Sequence, residues 1–410
     1  MDPGCQATLS VVIPAFDEEG GVRDTIERVL ALRSPLRQRG IGELQVIVVD
    51  DGSRDRTATI LAGIDGIEVI RHGTNRGYGA ALKTGLGQAT GDLVAFLDAD
   101  GTYPPESFPQ LCEAALDGAD IVIGSRMSDG NNGMPPTRRL GNRLFAGLVT
   151  VLGDRRVHDC ASGMRVIRRD SLARLYPLPD GLNFTPIMSL RAMHEGLRLV
   201  EVPIPYSERV GQSKLSVACD GLRYARSIVW TALGYNPIRV LGALGLAGVM
   251  VSVVVGVGLT VTRLRGVATL GPWGVAAIFV ALVAGVTGVS LFSLGAMFNY
   301  LVGLFRKEPV RMGLFGKPLF DPPLERHFGW LGLSIGLIGL VVAVVALSLG
   351  INGWEIARLW LYLVGSALLI LVGVQLVISW VVMKTLDELS QRELGGKAGS
   401  VRGTDGRRGT

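Results

Sequence analysis

LVAFLDADGTYPP, Leu93 to Pro105, begins with an apolar run of strand length and ends in a turn rich in Gly and Pro, with Asp98 and Asp100 at the junction and only Ala99 between them. Residues two apart in an extended chain point to the same side, so the two carboxylates converge. At ~6 Å and an effective dielectric of ~20 they repel by about 3 kcal/mol. Something positive is expected between them.

The same pattern recurs on either side of this run. LSVVIPA, LQVIVVDDGS, IEVIR and DIVIGSR are apolar runs of strand length, and helical patterns near 21–32, 56–62, 79–88 and 105–116 separate them. Strands buried on both faces and joined by crossover helices give an α/β fold with a doubly wound, mostly parallel sheet. Ligands bind such sheets beyond the carboxyl ends of the strands. The loops Pro14–Glu18, Asp50–Ser53, Asp98–Asp100 and Gly124–Arg126 all fall at such ends, which predicts one shared site. Further on, 137–152 has helical spacing with Arg138, Arg139 and Arg143 interleaved among leucines. A strand is expected at 164–167, a helix at 186–194, a strand at 197–202, and an amphipathic interfacial helix over 216–236.

The 410 residues are 48% hydrophobic and their mean hydropathy is +0.37, a composition that places part of the chain in lipid. The excess lies beyond Asn236, where four long apolar segments at about 238–262, 273–305, 328–352 and 358–383 each reach the ~20 residues that cross a hydrocarbon core. Lys and Arg crowd the 306–326 loop and the tail after Lys384, so the first domain and both chain ends are expected on the cytoplasmic side. The domains expected are 1–215, the interfacial helix 216–236, a four-helix membrane domain 237–384 and a polar cytoplasmic tail 385–410. Nothing at the N-terminus has the order of a secretory signal. Cys5, Cys112, Cys160 and Cys219 lie far apart and read as free thiols in a reducing compartment. A net charge of +5 suits an anionic membrane surface and gives no reason to expect nucleic acid.

Each motif has a chemical and a plain reading. Asp98 and Asp100 can hold Mg²⁺ or Mn²⁺ together with substrate phosphates, or can simply cap a turn at Gly101. Asp50 and Asp51 can accept hydrogen bonds from a nucleobase N–H or a ribose hydroxyl, while Ser53 or Asp55 caps the next helix. Glu18, in the loop shaped by Pro14, could meet the ribose, although capping around Asp17 would explain that loop as well. HGTNRGYGAALKTG lacks the spacing of a phosphate-binding P-loop. Its glycines could underlie a nucleotide or serve close packing. His72, His158, His194 and His327 form no local cluster, with His158 of modest interest beside Asp159.

VIPAFDEEG, VVDDGSRDRT, NRGYGAALKTG, FLDADGTYPPE, IVIGSR, DCASGMRVIRRD and ERVGQSKLS occur in this order over about residues 8–236. Together they resemble family 2 glycosyltransferases of the GT-A fold, and among those the polyprenyl-phosphate (dolichyl-phosphate) mannose and glucose synthases. The resemblance implies inverting transfer of a hexose from GDP-mannose or UDP-glucose to a polyprenyl phosphate, undecaprenyl or dolichyl, in a bacterial or archaeal plasma membrane. A homo-oligomer is compatible with it. It also implies roles. Pro14, Ala15, Phe16, Glu18, Asp50, Asp51, Gly77 and Ala99 would hold the nucleotide sugar, and Arg209 and Lys214 would close over its phosphates. Asp98 and Asp100 would hold the metal and diphosphate. Asp159, Arg126 and Arg139 would stand at the reacting centre, where Arg126, Arg138, Arg139, Asn142 and Arg143 would meet the lipid phosphate. Ser162, Gly163 and Arg165 would shape the turn after Asp159. Thr102 stands where many relatives have Gln, which leaves that position's part in metal binding and the choice of sugar open.

Phosphate chemistry supports the acceptor independently. A phosphate monoester with a second pKa near ~6 is already largely dianionic at neutral pH and needs cations more than a general base, and Arg offers them in bidentate geometry. Arg126, Arg138, Arg139, Arg143 and Arg165 supply that charge, with Arg126 and Arg139 as first choices. The alternatives are a processive polysaccharide synthase, whose QxxRW motif is missing, a transferase to a diacylglycerol or ceramide hydroxyl, which would put more weight on Asp159 as base, and an idle scaffold or lipid translocator.

Overall fold

The computed structural model describes residues 6–127, 134–153, 155–207, 217–267, 270–306, 327–354 and 356–402. Two compact units divide the chain, Met1–Thr231 and Ala232–Thr410.

In the first unit, β1 (Ala7–Ala15), β2 (Ile41–Asp50), β3 (Glu68–Arg71), β4 (Leu93–Phe96), β5 (Ile121–Ser125), β6 (Arg165–Arg168) and β7 (Leu199–Pro203) form one sheet. Their order is β3-β2-β1-β4-β6-β5-β7. Val11 to Ile13 and Val46 to Val49 are buried on both faces, which is why these strands read as continuous apolar runs. Helices α1 (Val22–Leu30), α2 (Arg33–Gln38), α3 (Thr57–Leu61), α4 (Tyr78–Gln88) and α5 (Phe108–Leu116) connect the parallel strands. The amphipathic spacing of Val22, Ile26 and Val29 buries one face of α1.

One strand departs from the parallel pattern. β6 runs antiparallel to both β4 and β5, with Arg165 opposite Phe96 on one side and Ile123 on the other. It therefore begins where its neighbours end. The turn before it, Asp159 to Gly163, is delivered to the same sheet edge as Asp98 and Arg126, which a purely parallel arrangement would not achieve. Helix α6 (Pro136–Leu152), which precedes that turn, and α7 (Arg169–Leu175), α8 (Phe184–His194) and α9 (Val217–Leu233) complete the unit.

The second unit holds α10 (Ala243–Leu264), α11 (Pro272–Arg306), α12 (Phe328–Ile351) and α13 (Ile356–Arg402). Their apolar spans are Pro237–Leu264, Pro272–Gly303, Phe328–Ile351 and Leu359–Glu388, long and apolar enough to cross a membrane. α10 packs on α11 and α12 on α13, as two hairpins. Small residues let the backbones meet, since lipid gives no hydrophobic drive between helices. A Cβ added at Gly288 would lie 2.7 Å from the Gly245 carbonyl oxygen, and one at Gly373 2.6 Å from the Gly336 nitrogen. Large apolar side chains such as Val254, Phe279, Leu340 and Val374 are left exposed on the outer faces.

Candidate active site

The loops after β1 and β2 are fastened to each other by Asp17, Ser53 and Asp55, whose pattern in sequence also fits helix caps, and by Thr57. Asp17 N–H donates to Ser53 Oγ at 3.0 Å, Glu18 N–H to Thr57 Oγ1 at 2.9 Å and Glu19 N–H to Asp55 Oδ2 at 3.1 Å, while Arg54 N–H donates back to Asp17 Oδ1 at 2.7 Å. Asp17 has a φ of 50°, uncommon for a residue with a side chain. These bonds hold it there. The zipped loops form one wall of a cavity of about 410 Å³, where Pro14, Ala15, Phe16, Glu18, Asp51 and Gly77 are brought together with Asp98 and Asp100.

Asp50 and Asp51 go separate ways. Asp50 is fully buried and turned from this cavity, accepting Ser53 N–H at 2.9 Å and pairing with Arg71 at 3.1 Å. Asp51 faces the cavity. Its Oδ1 accepts from His72 Nδ1 at 2.7 Å and Arg76 N–H at 2.9 Å, and its Oδ2 from Gly77 N–H at 2.8 Å. Ala99 is buried; its carbonyl accepts from Thr25 Oγ1 at 3.3 Å.

A second cavity, of about 270 Å³, shares Tyr78, Asp98, Asp100, Leu182 and Tyr224 with the first. The aspartate pair thus stands between two lobes. Each of its members is held by a neutral donor: Tyr78 donates its hydroxyl to Asp98 Oδ1 at 2.7 Å, and Thr102 its N–H to Asp100 Oδ1 at 3.0 Å. Burial, reinforced by the Asp98 charge, raises the Tyr78 phenol well above its ordinary value and keeps it a donor. Behind Asp98 lies Gly163, where an added Cβ would sit 2.5 Å from Asp98 Oδ2. Only glycine leaves room for that carboxylate. Among the described residues no cluster of three or more His, Cys, Asp or Glu could hold a metal ion. Two hard carboxylates on a shared wall nevertheless fit Mg²⁺ or Mn²⁺, which commonly completes its coordination with water and substrate phosphate.

Arg126, Arg138 and Asn142 line the second lobe with Thr102, Tyr103 and Phe145. Arg126 does not stand there as a bare cation. Its Nε and Nη2 donate to the two oxygens of Asp159 at 2.8 and 2.9 Å, its N–H to Oδ2 at 2.9 Å, and Asn142 Nδ2 to Oδ1 at 3.1 Å. Burial would push the Asp159 carboxyl up, but the Arg126 charge and hydrogen bonds outweigh it and hold it below the usual range. Burial likewise opposes the Arg126 charge, and Asp159 more than restores it. Tyr103 backs the guanidinium, its ring centroid 5.3 Å away.

The remaining arginines separate. Arg165 is fully buried, donating to the carbonyls of Ser162 at 3.2 Å and Cys160 at 2.7 Å, so it braces the turn and lines neither lobe. Burial pushes it down to about 10. Arg143 lines a different cavity with Arg156 and His158, on another side of α6, and Arg139 lines neither lobe. His158 pairs with Glu201 at 2.8 Å. Arg209 and Lys214 fall outside the described residues. Of the cysteines, Cys112 and Cys160 are buried free thiols, pushed up to about 12 by burial. Sequence reasoning missed Tyr78, Asn75, Leu182, Arg223 and Tyr224, all of which line the first lobe. Tyr78 had a signal, an aromatic residue inside a glycine-rich stretch read only for its backbone.

A family model described as glycosyl transferase family 2 matches residues 10–176. A dolichyl-phosphate hexose transferase of Haloferax volcanii is 34% identical over 228 residues, 55% of this chain and 94% of that protein. The chain belongs to glycosyltransferase family 2. The low-salt glycan biosynthesis hexosyltransferase Agl6 of the same organism is 35% identical over 239 residues, 57% of the transferase described here, which spans 56% of that relative. An undecaprenyl-phosphate 4-deoxy-4-formamido-L-arabinose transferase of Proteus mirabilis is 30% identical over 314 residues, 75% of this transferase and 92% of the relative. Glucosyl-3-phosphoglycerate synthase from Mycobacterium tuberculosis, solved with uridine diphosphate, shares 25% identity over 55% of this chain and 79% of its own, at a TM-score of 0.43. Residues 237–397 match a domain of unknown function (DUF8752).

Proposed function

We propose that this transferase moves a hexose from a nucleotide sugar to the phosphate of a membrane polyprenyl phosphate, with inversion at the anomeric carbon. One observation carries the choice of acceptor. All four acceptor positions of the Asp159 carboxylate are taken by Arg126 and Asn142, so it has none left for a hydroxyl proton. A diacylglycerol or ceramide acceptor would need that base. A phosphate dianion does not. Relatives named for dolichyl- and undecaprenyl-phosphate transfer support the same reading.

In this scheme the first lobe takes the nucleoside against Asp51 and the Pro14–Glu18 loop, and the second takes the lipid phosphate between Arg126 and Arg138. The Asp98–Asp100 wall then places the anomeric carbon between donor and acceptor. Both aspartates would hold Mg²⁺ or Mn²⁺, which when bound supplies the charge that lets the diphosphate leave. Asp159 keeps Arg126 charged and fixed, and Tyr78 keeps Asp98 in place. The catalytic unit and both chain ends face the cytoplasm, because Lys and Arg concentrate in the loop around 306–326 and in the tail.

The test is incubation of membranes holding the full chain with labelled UDP-glucose or GDP-mannose and polyprenyl phosphate, Mg²⁺ present or chelated. Metal-dependent label in an acid-labile lipid supports the proposal. Label confined to polymer or to a neutral lipid would assign the site to another acceptor.

A further inference from the structure

The base carried by the donor can be inferred from hydrogen-bond accounting at Asp51. An ionised carboxylate offers about four acceptor positions. Asp51 accepts two backbone N–H groups, from Arg76 and Gly77, and His72 Nδ1 adds a third bond at 2.7 Å. Both side chains are nearly inaccessible, 4% exposed for Asp51 and 5% for His72. Beyond the ring, Thr84 Oγ1 lies 3.0 Å from His72 Nε2 and is itself tied to the Ala80 carbonyl at 3.0 Å, so α4 clamps the imidazole from its far side. Oδ1 is filled. Oδ2 keeps one position, and Asp51 is part of the cavity wall.

We propose that the donor is a uridine diphosphate sugar, selected because His72 leaves Asp51 a single acceptor position for the base. This rests on the nucleotide-sugar transferase reading above. Guanine presents two donors side by side, its ring N–H and its amino group, and a carboxylate binds the pair well only with both oxygens available. One N–H would be buried without a partner, which costs a binding site heavily. Uracil presents one ring N–H between two carbonyls, and the Asn75 amide on the same wall can donate to one of them. Cytosine lacks that ring N–H. His72 is a positioning residue here: it touches Asp51 and not the base.

Calorimetric titration of the full-length protein with UDP, GDP, CDP and N3-methyl-UDP, in Mg²⁺, tests this. UDP is expected to bind about tenfold or more tightly than each of the others, the usual scale for one buried donor left unpaired. His72→Gln, which keeps an N–H for Asp51, should preserve the UDP to GDP ratio, and His72→Leu should bring it towards one. GDP or CDP binding as tightly as UDP, or N3-methyl-UDP binding like UDP, overturns the uridine assignment while leaving a transferase. Failure of all four to bind would instead remove the nucleotide-sugar reading itself. The comparison stands on the unmodified chain if the variants do not fold.

Discussion

On the proposed donor side, Asp51 keeps one acceptor position and lines the cavity, and Asp98 and Asp100 stand on the same wall, accepting from Tyr78 and Thr102. On the proposed acceptor side, the four acceptor positions of Asp159 are taken by Arg126 and Asn142, and Arg165 donates from Nε and Nη2 to backbone carbonyls. Both sides contain buried charge: carboxylates gather on the wall of the first, while in the second Arg126 and Asp159 neutralise each other. The first is arranged for a cation and a base. In the proposed scheme the second is a rigid frame in which a lipid phosphate would displace little, because Arg126 is already positioned by Asp159.

That contrast predicts different failures when each side is altered. Asp100→Ala removes a proposed metal ligand from the first side and should lower transfer by roughly a thousandfold, as expected for loss of several kcal/mol of charge stabilisation. The full-length protein should still fold, and an unchanged turnover number with Mg²⁺ would break the contrast. Asp159→Asn should do the opposite and strike stability first, because it leaves Arg126 buried without its partner, at a cost of about 3–5 kcal/mol. The melting temperature of the detergent-solubilised chain reads this out. The carboxyl of Asp159 is held below its ordinary value, so the pair stabilises the fold above that ordinary value and loses the contribution as pH falls through the folded one. The gap between native and variant melting temperatures should therefore narrow in acid.

Gly163→Ala bridges the two sides, since its new Cβ must push Asp98 from its seat. Mn²⁺ affinity in the presence of nucleotide, measured by electron paramagnetic resonance, should fall roughly ten- to a hundredfold, the range for a displaced supporting group. The smallest effect separates the arginines of α6. Arg138→Ala should raise the apparent KM for polyprenyl phosphate about fivefold, the size of one exposed charge pair, and Arg143→Ala should leave it unchanged. The reverse order would move the acceptor to the other side of the helix.

Arg139 shows why the acceptor side was harder to read. A basic helix in sequence gives a set of arginines but not their facing, and Arg138, Arg139 and Arg143 point to different surroundings. Asp98 and Asp51 were readable because a strand that ends in a carboxylate at the edge of a parallel sheet has little choice of where to present it. Asp50 misled for the opposite reason: at adjacent positions the pleat sends two side chains to opposite faces, and only the sheet says which face holds the cavity. The hydroxyl that Asp98 accepts comes from Tyr78, twenty residues upstream, a partner that spacing in sequence does not disclose. His72 has no partner near it in sequence, because Asp51 follows the end of the neighbouring strand β2.

Sequence alone determined the alternation of strands and helices, the four apolar spans and the carboxylates at the strand ends, since periodicity and length are local properties of a chain. Only the tertiary structure decided that β6 runs backwards between β4 and β5, that Asp159 is spent on Arg126, and that His72 occupies Asp51. Those depend on which residues distant in sequence come within hydrogen-bonding reach. A carboxylate's chemistry is set by how many of its acceptor positions its neighbours leave open.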